Sequence, residues 1–270
     1  MRKAPARPNG VVLAFWLVGS LLLAFILAPL IGLATVQSPA SLARVAAMPD
    51  VRVAIGLSLL AAFLTTAWAA LLGVPLAYVL ARTEFRGKEI VAAIVDLPLA
   101  VPHTVAGVAL LIVFGRQGWI GGPAGEVFGL RFWGTLAGVV VGMLFVSAPY
   151  AVNAARIGFE AVDPRLEKVA RTLGMGPWRV LAEITLPLAW RSIMTGLTLT
   201  YARAISEFAA VAILAYYPMT APVKIYELFL QSGLDEASGM ALLLLVVSLA
   251  LFILFRHIAR RGADFAGVGR

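Results

Sequence analysis

The sequence predicts an all-α fold, a polytopic membrane protein with six transmembrane helices, and three observations predict it. The 270 residues are 61% hydrophobic and only 13% charged, with a mean hydropathy of +0.93, whereas soluble domains carry about a quarter charged residues. Six runs, 11–36, 53–81, 90–114, 133–155, 193–217 and 237–255, are apolar enough to cross a bilayer, which takes roughly 20 residues each. The basic residues are divided unequally between the two sides that these runs define.

The first run follows MRKAPARPNG and resembles a secretory leader. It is longer than the 7–15-residue core such leaders use, so a retained span is expected. Loop 37–52 is short and holds Pro39 and Pro49; loop 82–89 (RTEFRGKE) is a tight turn. Loop 115–132 is glycine-rich and, with Trp119, Phe132 and Trp133, carries aromatics suited to the membrane–water boundary. Loop 217–236 holds Glu227, Asp235 and Glu236. No loop is long enough to bury a core of its own, so residues 1–270 read as one transmembrane domain. No internal repeat is convincing: LPLAVP at 97–102 and LPLAW at 186–190 share only their start.

Of the 22 Lys and Arg, 16 fall with the termini and the loops at 82–89 and 156–191; Arg44, Arg52, Arg116, Arg131 and Lys224 fall opposite, and Arg203 lies inside a run. The bias of basic residues toward the cytoplasm places both termini there. The net charge of +8 is therefore a topology signal, and no nucleic-acid partner is expected. The absence of cysteine excludes disulfides and thiolate metal sites. No metal site and no catalytic group is expected.

Loop 156–191 is charged and punctuated by glycine and proline. Asp163-Pro164 reads as a capped helix start. Leu166, Val169, Ala170 and Leu173 recur at helical spacing, and Gly174 stands where a left-handed cap would end the helix. Gly176-Pro177 restarts a helix bearing Trp178 and Leu181, and Pro187 is expected to end it. Two short amphipathic helices joined at a glycine elbow suit either a membrane surface or a groove on a cytoplasmic partner.

This segment is similar to the cytoplasmic loop of the membrane subunits of ABC importers, whose pattern is Glu-Ala-Ala, three residues, Gly, nine residues, Ile, one residue, Leu-Pro. Lys168-Val169-Ala170, Gly174, Ile184 and Leu186-Pro187 keep that spacing. Lys168 departs from Glu and Val169 from Ala; Glu167 stands one residue away from the acidic place. The resemblance implies a type I importer permease fold and a coupling helix that docks on an ATP-hydrolysing subunit. It assigns docking to Asp163, Pro164, Glu167, Lys168, Ala170, Gly174, Trp178, Ile184, Leu186 and Pro187. The chain has no GxxxxGK[ST] phosphate loop. It is therefore expected to be no enzyme and to bind no cofactor, with ATP and magnesium on the partner.

Ionisable groups inside a span cost about 2.5–3.5 kcal/mol on insertion scales. The third run holds Asp96, Pro98, Pro102, His103 and Thr104. The prolines are expected to bend or break it, and Asp96 to serve structure near the cytoplasmic gate. In the fifth run Arg203 and Glu207 are four apart and can pair. They serve either as a structural ion pair or, with Ser206, Thr200 and Thr104 as added donors, as part of an anion pathway, in which His103 either packs or meets the substrate.

The stretches VDLPLAVPHTVAGVALL, SAPYAVNAARIGFEAVDPRLEKVARTLG and ARAISEFAAVAILAYYPMTAPVKIYE look like molybdate/tungstate permeases from about Ser58 onward, with sulfate/thiosulfate permeases as cousins. The resemblance implies import of an oxyanion by alternating access through a homodimer of this subunit in the cytoplasmic (inner) membrane. Its implied partners are two ATPase subunits and an extracytoplasmic substrate-binding protein. Two alternatives remain at this point: an ABC permease for sulfate, ferric iron or another small solute, and an ATP-independent secondary transporter.

Overall fold

The computed structural model describes residues 9–265, and Arg2, Lys3, Arg7 and Arg270, which entered the topology reading, lie outside them. Helix α1 (Gly10–Val36) is apolar on every side and buries none of its side chains against the chain. At about 1.5 Å per residue it is long enough to cross the hydrocarbon core. Gln37 ties its end to the last helix: Nε2 donates to the Asp235 carbonyl at 2.9 Å and to Ser238 Oγ at 2.7 Å. Helix α2 (Pro39–Ala47) is capped by Ser38, whose hydroxyl accepts from the Ser41 amide.

The second span is helical from 49 to 82, as α3 (Pro49–Trp68), a π-helical turn (Ala69–Gly73) and α4 (Val74–Arg82). The third is broken. Helices α5 (Lys88–Ala100) and α6 (His103–Phe114) meet at 114°. Pro102 causes the break: it lacks an N–H, and it pushes Val101 before it to extended backbone. Pro98, expected to share that role, sits inside α5 instead.

Helix α7 (Gly121–Phe128) lies in the next loop, and α8 (Leu136–Glu160) is the fourth span, running through Pro149. The segment expected on the cytoplasmic side folds as α9 (Pro164–Thr172) and α10 (Pro177–Val180). Pro187 does not end the second helix. A π-helical turn (Leu181–Thr185) leads into α11 (Leu186–Ile205), so the helix is continuous over 177–205. The wider turn lets the Leu186 amide reach back five residues to the Leu181 carbonyl, just before the proline that lacks an amide to donate.

The fifth run is the second correction. It begins earlier than 193 and breaks at 206–208, before α12 (Ala209–Leu214). Helices α13 (Ala221–Ser232) and α14 (Leu234–Phe265) complete the described chain. By length and composition, four helices of the described residues can cross a membrane, and five spans result if the bent α5–α6 pair is one. Helix α11, from the fifth expected span, falls outside that count. It carries Arg191 and Arg203 and several threonines, and it buries Ile193, Thr198, Thr200 and Tyr201 inside the molecule. A helix shielded from lipid can keep such polarity.

Helices α8 and α11 form the centre. Small residues set their separation: a Cβ at Gly196 would lie 2.6 Å from Ala154 Cβ and 3.0 Å from the Tyr150 carbonyl, and one at Gly158 would lie 2.6 Å from Ser192 Cβ. Close backbone approach is how helices gain van der Waals contact where lipid is as apolar as leucine. Thr200 adds a hydroxyl bond to the Ser147 carbonyl at 3.3 Å. Outside the spans, Lys224 joins α13 to α3 through Asp50 at 2.7 Å and also meets Glu227 at 2.8 Å. Burial works against its ammonium, yet the two carboxylates outweigh that and raise its pKa.

The glycine contacts yield a prediction. Gly196→Ala should lower the thermal midpoint of the purified chain in detergent, because overpacking a tight contact costs about 1–3 kcal/mol. Gly56→Ala, where a Cβ would meet nothing within 4 Å, should leave the midpoint unchanged or raise it. Equal behaviour of the two variants would contradict the packing account.

Candidate functional site

Two polar constellations stand out, one at the elbow over 163–187 and one at the two helix breaks. The elbow is built by local signals. Asp163 Oδ1 accepts from the Arg165 amide at 2.9 Å and Pro164 opens α9. At the other end Gly174 has φ +87°. Its amide donates to the Arg171 carbonyl at 3.0 Å and the Met175 amide to the Ala170 carbonyl at 3.1 Å. These two bonds are the paired closure of a helix by a left-handed residue. No neighbour lies within 4 Å of a Cβ at Gly174, so conformation within this chain demands glycine there, and close approach does not.

The apolar residues of the elbow face outward. Leu166 and Val169 are exposed, Leu173 is 79% exposed and Trp178 82%. Lys168 is also exposed, while Ile184, Leu186 and Pro187 are half-buried at the root of α11. Of the four residues read as one apolar face, only Ala170 is buried, on the side of α9 that meets the protein. Glu167 differs from its expected docking role, since it turns inward and is 6% exposed. Its Oε1 takes Arg82 Nη2 at 2.8 Å, Arg82 Nε at 3.0 Å and the Thr185 hydroxyl at 2.9 Å.

The second constellation gathers where α6 begins, α11 ends and α12 begins. Glu207 is 1% exposed. Its Oε1 accepts from the Ala210 amide at 2.9 Å, satisfying a backbone donor freed by the break. Its Oε2 meets Arg203 Nη2 at 2.8 Å and His103 Nδ1 at 2.8 Å. The same Nη2 lies 2.8 Å from His103 Nδ1 and 3.0 Å from Nε2. Arg203 Nη1 reaches the Ser206 hydroxyl at 3.3 Å, and that hydroxyl donates to the Arg203 carbonyl at 3.0 Å. One proton decides the pattern here. Protonated, Nδ1 donates to the carboxylate; unprotonated, it accepts from the guanidinium.

The structure thus brings Arg203, Glu207, His103 and Ser206 together. Thr104 is exposed beside them and makes no side-chain hydrogen bond among the described residues. Asp96 stands apart on α5, where Oδ1 accepts from Asn153 Nδ2 at 2.6 Å. Sequence reasoning missed Arg82, Thr185 and Asn153. Arg82 read as one more interfacial cation, and nothing local marks its partner 85 residues away.

Removing one member of a buried pair strands the other charge, at about 3–5 kcal/mol. Glu207→Ala should therefore cost more stability, read as the thermal midpoint in detergent, than the double change Arg203→Met/Glu207→Ala. An equal loss in both would show that the carboxylate does not compensate Arg203.

Residues 73–263 match the family model described as "Binding-protein-dependent transport system inner membrane component". The chain is 43% identical over 249 residues to the molybdate/tungstate transport system permease protein WtpB of Thermococcus kodakarensis, covering 92% of this chain and 95% of the relative. It is 42% identical over 260 residues to the protein of the same name from Pyrococcus furiosus, covering 96% and 99%. Its fold matches a chain from the crystal structure of a bacterial ABC transporter involved in the import of the acidic polysaccharide alginate. The TM-score is 0.73 at 19% identity, over 93% of this chain and 97% of that one. Six apolar runs, a capped elbow exposed beyond them and a match over most of its length agree: the chain belongs to the family of inner-membrane components of binding-protein-dependent transport systems.

Proposed function

We propose that this chain is the transmembrane subunit of an ATP-driven importer that carries molybdate or tungstate into the cytoplasm. The observation that carries the transport reading is the elbow. The short, doubly capped helix α9 presents Leu166 and Val169 to solvent, and the turn and helix after it add Leu173 and Trp178, on the side where basic residues concentrate. Such a surface suits a groove on a cytoplasmic ATPase subunit, and this chain has no phosphate loop of its own. The oxyanion reading rests on the relatives' names and is supported by Arg203, whose guanidinium pairs with Glu207 at 2.8 Å while its side chain stays 22% exposed. One cation held this way can attract a dianion without trapping it, and a pathway must also release its cargo.

The subunit pairs with a second copy about a two-fold axis, the common symmetry of homo-oligomers. Two ATPase subunits take the two elbows, and both termini face the cytoplasm. An extracytoplasmic binding protein delivers the anion to loops 37–52, 115–132 and 217–236. ATP binding closes the ATPase pair and draws the elbows together, opening the pathway outward; hydrolysis resets it inward. Coupling of this kind requires contacts that differ between the two states at both sites. ATP and magnesium belong to the partner.

Two measurements test this reading. ATPase activity of the reconstituted complex with its binding protein should rise on adding tungstate or molybdate and stay flat with sulfate; stimulation by sulfate alone would move the cargo to the cousin class. Gly174→Leu forces a side chain into the left-handed region at about 1–2 kcal/mol. It should leave membrane insertion intact and uncouple uptake from ATP hydrolysis. Normal uptake and normal stimulated ATPase in that variant would remove the elbow from the coupling path.

A further inference from the structure

We infer that Glu167 is a positioning residue that clamps the coupling helix to two spans at once, and that this clamp conveys the ATPase stroke to the pathway. The inference rests on the ATPase-docking reading above. Helix α9 has almost no other grip on the protein: Glu167 and Ala170 are its buried residues, and its larger apolar side chains point away.

The grip is made by donors from two places. Arg82 is the last residue of α4, at the cytoplasmic end of the second span. Its guanidinium holds Glu167 Oε1, and Nη2 also donates to the Val162 carbonyl at 3.0 Å, one residue before the Asp163 cap. One side chain therefore fixes both the entry of α9 and its first turn. Thr185 supplies the second donor group at 2.9 Å from the π-helical turn that leads into α11. Helix α11 carries Arg203 at its far end and runs up to Glu207, the two partners of His103 at the broken span. The carboxylate is thus where the coupling helix meets both the second span and the helix that ends at the ionic cluster.

Stability alone does not account for this arrangement. Replacing a buried ion pair by apolar residues of similar size is often neutral or stabilising. What the Arg82 ion pair and the Thr185 hydroxyl bond add is direction, because they fix where α9 sits and turn its displacement into displacement of both spans. An apolar contact of the same area can slide.

The test uses the full complex of permease, ATPase and binding protein in liposomes. Arg82→Leu/Glu167→Leu removes both charges together and leaves neither buried alone. It should retain the thermal midpoint and co-purification with the ATPase, and raise the ATP hydrolysed per anion imported by about tenfold, the size of a typical coupling between sites. Amide hydrogen exchange over 163–172 should quicken. The chain has no cysteine, so R82C/E167C offers a unique pair for a bismaleimide bridge, and bridging should bring the ratio back toward that of the unaltered complex. A ratio unchanged in the leucine pair, or a bridged pair that stays uncoupled, overturns the clamp. An unaltered chain that binds no ATPase subunit overturns the docking reading, and the clamp with it.

Discussion

In the interior of a membrane protein each freed backbone amide and each charge must find a partner, because no water is at hand. Glu207 answers that requirement for two broken helices together. Its one carboxylate takes the Ala210 amide, the Arg203 guanidinium and the His103 ring. Pro102 breaks α5 from α6, the chain breaks again at 206–208, and the residues beside the two breaks converge on this group. Remove the carboxylate and three elements lose their common anchor: the start of α6, the end of α11 and the start of α12. Irregular backbone at membrane depth is tolerated where protein or a cavity surrounds it, so the breaks and the ionic cluster are one structural feature.

The elbow end repeats the same device in a different setting. There Glu167 gathers Arg82 and Thr185 around a helix that otherwise faces solvent. Between the two carboxylates lies the α8–α11 pair, held by glycine contacts that leave no room for a methyl group at Gly196 or Gly158. Close-packed interiors deform little and shift between discrete arrangements. A tight pair with an ionic joint at each end is therefore suited to move as one body.

Much of this was legible in the sequence, and what was legible was local. The elbow could be read because Asp163, Pro164, Gly174 and Pro177 act within a few residues of themselves, through caps and forbidden dihedrals. The apolar runs could be read because crossing a bilayer is a matter of length and composition. The Arg203–Glu207 pair follows from helical spacing. What could not be read was set by distant partners. His103 joins Glu207 across 104 residues, and Arg82 joins Glu167 across 85. The break at 206–208 has neither glycine nor proline to announce it. Pro98 and Pro187 misled for the opposite reason. Each is a helix breaker by local rule, yet Pro98 lies inside α5, and a π-helical turn prepares the backbone ahead of Pro187.

That π-helical turn bears on how motion crosses the membrane. The helix over 177–205 has 29 residues, about 43 Å at the usual rise, more than the thickness of the hydrocarbon core. Its upper part is locked to α8, so it cannot flex freely there. Two places remain where its direction can change. One is the break at its tip, where Glu207 sits. The other is the π-helical turn at its root, a feature that interrupts the regular ladder and is frequent at functional sites. Thr185, in that turn, donates to Glu167 beside Arg82. On the coupling proposed above, a displacement of the elbow would enter the rod at its π-helical turn and leave it at the break by Glu207, with the length packed on α8 between them.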